Sequence, residues 1–133
     1  YPLHYRTAVR QLVEVEVDSY PLGIDPHTEY AIIQTHLEPD DYLVFCSDGI
    51  IEARNVDGEH FGFDRTLNAI RRGCEQGLSP EELIDHTLAE VGSFADEAQE
   101  DDQTIVALKR GTWGVPIKRP ISSPDGPTPR VSR

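Results

Sequence analysis

The sequence has 133 residues, enough for one domain, and 38% of them are hydrophobic, enough for a modest core. With 24 acidic against 12 basic residues the formal charge is −12, which disfavours a nucleic-acid backbone as partner and suits a cation site or a plain acidic surface. No apolar stretch approaches the ~20 residues of a membrane span and no signal peptide is visible, so no membrane contact by this segment is expected, and two cysteines without a disulfide framework suit a reducing cytoplasm.

The chain opens at Tyr1 rather than Met, inside a stretch patterned like structured sequence, and so reads as a fragment or a processed piece. Residues 1–10 have weak strand character. From Gln11 to Asp18, Val13, Val15 and Val17 alternate with Glu14, Glu16 and Asp18, which predicts a half-buried antiparallel strand. Tyr20 to Pro26 is a loop punctuated by Pro and Gly. Tyr30 to Leu37 alternates again and, across the short turn Glu38-Pro39-Asp40-Asp41, is expected to form a hairpin with Tyr42–Ser47. Tyr42-Leu43-Val44-Phe45-Cys46 is so evenly apolar that it predicts a strand buried on both faces. It ends in Ser47-Asp48-Gly49, where Gly49 would let the backbone turn at once.

A short helical turn follows over Ile50–Arg54, then a turn at Asp57-Gly58. Phe63, Leu67, Ile70 and Cys74 recur at helical spacing up to Gly77. A second helix starts at Ser79-Pro80-Glu81-Glu82, where Ser79 as N-cap and Glu82 make a capping box. Its apolar stripe is Leu83, Ile84, Leu88, Val91 and Phe94 or Ala95. The two helices should pack as a pair on one sheet face. Gln103–Lys109 is the last strand, and the proline-rich residues 111–133 read as a flexible tail. Segregated strands and helices predict an α+β layered fold.

Two acidic positions abut core strands: Asp48 after the central strand and Asp101-Asp102 before the last. If those strands are antiparallel neighbours, the carboxylates meet at one sheet edge. Close like charges there are costly unless a cation neutralises them, and Mg²⁺ or Mn²⁺ prefers such oxygen donors. The bland alternative is that Asp48 caps a turn and Asp101-Asp102 is solvated loop. The five histidines are scattered and suit surface or packing roles. Asp57-Gly58-Glu59 lacks the alternating acids of a calcium loop, and Ser47 has no evident base partner. Cys46 and Cys74 make neither a disulfide framework nor a zinc pattern and read as buried apolar residues.

Leu37 through Asn55, with Asp57-Gly58-Glu59-His60-Phe61-Gly62 after it, resembles the hallmark strand and turn of SpoIIE/RsbU-type bacterial phosphatases. Pro21-Leu22-Gly23, Leu78-Ser79-Pro80-Glu81-Glu82-Leu83 and Asp101-Asp102-Gln103-Thr104 match further elements of that family, in order, over residues 1–110. The resemblance implies a metal-dependent serine/threonine phosphatase of the protein phosphatase type 2C superfamily. It implies a β-sandwich flanked by helix pairs, of which residues 1–110 would be the C-terminal part. It further implies two Mn²⁺ or Mg²⁺ ions, with Asp48 and Asp101 as metal ligands and Asp102 beside them. The implied substrate is a phosphorylated anti-sigma factor antagonist, and an upstream sensor or receiver domain is expected in the parent protein. Nothing before Asp48 matches the family's earlier ligands; Asp18 and Asp25 lie in the wrong context. The isolated chain is therefore expected to be inactive. The alternative is a non-catalytic regulatory module derived from a phosphatase, binding a partner without hydrolysis.

Overall fold

A computed structural model describes residues 2–16, 23–95 and 102–111. Four strands form one antiparallel sheet: β1 (Pro2–Arg6), β2 (Gln11–Glu14), β3 (Tyr42–Cys46) and β4 (Ile105–Lys109), in the spatial order β2-β1-β3-β4. Three helices lie between β3 and β4 in sequence: α1 (Asp48–Ile51), α2 (Gly62–Glu75) and α3 (Pro80–Phe94). This is the expected α+β architecture. Among the described residues there is one sheet and one layer of helices.

The register explains which side chains share the core. Leu3 pairs with Val44 and Tyr5 with Tyr42, while Val44 faces Ala107 and Cys46 faces Ile105. Side chains alternate across a strand. One sheet face therefore carries Leu3, Tyr5, Tyr42, Val44 and Cys46, all buried together with Ile50, Phe61, Ile70, Cys74, Leu83 and Val91 of the helical layer. Tyr5 and Tyr42 meet edge to face, with centroids 6.1 Å apart. The Tyr42 hydroxyl donates to the Leu78 carbonyl at 2.8 Å, and Lys109 Nζ donates to the Gly77 carbonyl at 3.1 Å. These bonds hold the α2–α3 connection on the sheet.

The central strand differs from expectation. It is not buried on both faces: Phe45 is 41% exposed, and its neighbours Val106 and Leu108 on β4 are 48% and 47% exposed. An apolar run records that a strand sits mid-sheet, but its own residues do not say whether a second layer covers it.

The expected Tyr30–Leu37 hairpin is also absent. Residues 28–38 have no regular structure, with Ile32 87% exposed. The physical reason is occupancy: β3 has two hydrogen-bonding edges, and β1 and β4 take both. The second strand is shorter than expected, ending at Glu14. Gly49 has no positive φ; it is buried in the helical turn α1. The predicted tail at 111–133 lies, beyond Gly111, outside the described residues.

The helix pair follows its sequence signals. Ser79 Oγ accepts from the Glu82 N–H at 3.2 Å, and the Glu82 carboxylate accepts from the Ser79 N–H at 2.8 Å. Gly77 ends the preceding helix with φ +74°, where a side chain would be strained. The buried stripe of α3 is Leu83, Thr87 and Val91, whereas Leu88 is 36% exposed. Thr87 is tolerated inside because its hydroxyl donates to the Leu83 carbonyl at 2.8 Å.

Candidate functional site

The site is built by the end of one strand and the approach to another. β3 and β4 run antiparallel, and their ladder closes at Cys46 opposite Ile105. One residue further, the Ser47 N–H donates to the Thr104 carbonyl at 3.0 Å. The Ser47 hydroxyl accepts from the Thr104 N–H at 2.9 Å and donates to the Asp102 carbonyl at 3.3 Å. The segment 102–104 is thus held beside the end of β3. Asp48 is the next residue after Ser47, so Asp48 and Asp102 lie at one sheet edge.

Asp48 is exposed at the first position of α1, and its Oδ1 accepts from the Gly49 N–H at 3.2 Å. No ion pair holds it among the described residues. Asp102 is exposed on the neighbouring segment. Asp101, the second ligand implied by resemblance, lies outside the described residues.

Oxygen donors of this kind suit a hard divalent cation in type but not in number. Among the described residues no group of three or more His, Cys, Asp or Glu side chains could hold a metal ion. Mg²⁺ commonly keeps several waters and uses only one or two carboxylates. Asp48 therefore fits as one contributor to a donor set that the described residues do not complete.

The other candidates are engaged elsewhere. In the Asp57-Gly58-Glu59 turn, Asn55 Oδ1 accepts from the N–H groups of Asp57 and Glu59 at 3.1 and 2.9 Å. Glu59 pairs with Arg65 at 2.7 Å, which holds its carboxyl below the usual range. Arg65 also lies 4.6 Å over the Phe94 ring, joining this turn to the end of α3. Burial pushes the Cys46 thiol up to about 11 and the Cys74 thiol up to about 12, so neither is a nucleophile at neutral pH.

One cluster carried no sequence signal. His4 is 2% exposed and its Nε2 lies 3.0 Å from Asp41 Oδ2. Asp41 also accepts from the N–H groups of Thr7 and Glu38, at 2.9 and 3.0 Å. It stands at the start of β3, at the opposite end from Asp48, and locks the strand's entry rather than serving the acidic edge.

A four-stranded antiparallel sheet with a helix pair on one face defines the class as an α+β protein. The solved structure of the phosphatase domain of the cell fate determinant SpoIIE from Bacillus subtilis superposes with a TM-score of 0.57 at 22% identity. That match covers 86% of this chain and 49% of that one.

The chain belongs to the Stage II sporulation protein E (SpoIIE) family, whose match spans residues 1–111. Stage II sporulation protein E of Bacillus subtilis (strain 168) is 25% identical over 100 residues, and that of Priestia megaterium 24%. Each alignment takes in 74% of this chain but only 12% and 16% of the relatives' lengths. No helix among the described residues is long and apolar enough to cross a membrane.

Proposed function

We propose that this chain supplies one edge of the active site of a metal-dependent protein phosphatase acting on phosphoserine or phosphothreonine. The observation that supports the reading is the hydrogen-bonded junction of β3 and the 102–104 segment, which puts Asp48 and Asp102 at one sheet edge. Asp48 and Asp101 would be ligands, with Asp102 adjacent. A bound Mn²⁺ or Mg²⁺ would activate water and neutralise phosphoryl oxygens. The chain's own contribution is to hold anionic donors at fixed spacing on a rigid strand end. The substrate would be a phosphorylated anti-sigma factor antagonist, and a cytoplasmic location suits such a partner.

The test is phosphate release from a phosphoserine protein by the native protein, with and without Mn²⁺. Release is expected only with the metal, and Asp48→Asn is expected to abolish it. Full activity in that variant overturns the assignment. Residues 1–133 alone are expected to release none.

A second reading is a partner-binding module without catalysis. Retained binding of the phosphoprotein without any metal-dependent turnover by the native protein would select it.

A further inference from the structure

We propose that residues 113–117 of this same chain dock on the outer face of the sheet, where Trp113, Val115 and Ile117 cover Phe45, Val106 and Leu108.

The docking surface is continuous. In the β3–β4 register Phe45 pairs with Val106 and Leu43 with Leu108, so all four share the side of the sheet turned away from the helices. Leu43 is half-buried, and the other three are exposed. Apolar side chains in contact with water gain by being covered, in proportion to the area removed from it.

The occupant follows from position, pattern and charge. β4 ends at Lys109, and the next residue is pinned beside this face. The Arg110 N–H donates to the Asp41 carbonyl at 2.9 Å, its carbonyl accepts from the Asp40 N–H at 2.7 Å, and its guanidinium donates to the Leu37 carbonyl. The chain therefore leaves the sheet from a fixed point close to the surface it would cover. From Gly111 to Ile117 is six residues, a reach of ~20 Å when extended. The way back along β4 from Arg110 to Val106 is only ~13 Å.

Trp113, Val115 and Ile117 alternate with Gly114 and Pro116, which puts three large apolar side chains on one side of an extended chain. Pro116 steers Val115 toward that extended backbone. Beyond Gly111 stand Lys118, Arg119, Arg130 and Arg133 against Asp125 alone, so this stretch is net positive while the rest of the chain holds all but one of the 24 acidic residues. Opposite charge draws the segment onto its own domain, and a short tether keeps its local concentration high. A second copy, carrying the same formal charge of −12, is repelled from the same face.

The chain has a single tryptophan, Trp113, so its fluorescence reports on this segment alone. Emission and acrylamide quenching are measured on the full 133-residue chain, with a peptide of residues 111–121 as the solvated reference. Wild type, Phe45→Ser, Val106→Ser and the double variant Lys118→Glu/Arg119→Glu are compared over a range of protein concentrations, with circular dichroism to check the fold. Nuclear Overhauser contacts from the Trp113 ring to the Val106 and Leu108 methyl groups are sought in the wild type, where no variant has to fold.

Wild-type emission is expected to be blue-shifted, and quenching several-fold weaker than in the peptide, at every concentration. Phe45→Ser and Val106→Ser should return both to the peptide values. Charge reversal at 118 and 119, or added salt, should weaken the protection. Peptide-like emission in the wild type overturns the proposal. So does protection without contacts from Trp113 to Val106 or Leu108, or protection that survives both serine variants. Protection that appears only as concentration rises assigns the face to a second copy and overturns the docking of this segment.

Discussion

Asp41 shows how much one buried carboxylate can organise. Burial by itself would raise its pKa. Hydrogen bonds from the Thr7 N–H, His4 and the Glu38 N–H outweigh that, and the carboxyl lies below its ordinary value. A His4 ring with its proton on Nε2 satisfies Asp41 and leaves Nδ1 to accept from Thr35, 3.3 Å away. A depressed folded-state pKa contributes stability that is present above the unfolded value, near 4, and is lost as pH falls through the folded one. Asp41→Ala should therefore cost on the order of 3 kcal/mol at neutral pH, because it strands buried donors. The gap to wild type should narrow below about pH 4 in denaturant titrations. A cost independent of pH would show that packing, not charge, is what the residue supplies. None of this was legible in the sequence: Asp41 looked like turn punctuation and His4 like a stray histidine. Their meeting depends on β1 lying against β3, a contact across 37 positions.

The helix pair was the most legible element, since its signals are local. Ser79, Pro80 and Glu82 act within one turn of each other, and Gly77 marks a stop within its own residue. Strand partners depend on distant chain, and there the reading failed: alternation over Tyr30–Leu37 resembles a strand although both edges of β3, its expected partner, are taken by β1 and β4. Polar Thr87 was overlooked as a core position for a related reason, because its partner is the helix backbone itself. The spacing of α2 and α3 rests on Gly73, where an added Cβ would lie 2.4 Å from Leu83 Cδ1. Leu83 has no exposure and little room to retreat. Gly73→Val is expected to lower stability by about 2–3 kcal/mol through overpacking, measured as a reduced denaturation midpoint. A midpoint equal to wild type would mean the helices slide apart freely.

On the scale of the molecule, the acidic edge was half legible. Placing Asp48 and Asp102 together needed only that two apolar runs be antiparallel neighbours, which they are. A full donor set could not be read, and among the described residues no group of three or more His, Cys, Asp or Glu side chains could hold a metal ion. The same sheet that supports this edge leaves Phe45, Val106 and Leu108 in contact with water on its other side. Such a surface is adhesive, and a formal charge of −12 opposes adhesion by mutual repulsion between copies. Repulsion reaches ~30 Å in 0.01 M salt but only ~8 Å at physiological strength. The 133-residue chain should accordingly stay dispersed in dilute buffer and self-associate as salt rises, with light scattering as the readout. Phe45→Ser should blunt that response, and scattering indifferent to salt would refute it. Colloidal behaviour of this polypeptide is thus governed by ionic strength, and a preparation made in dilute buffer will not predict one made in brine.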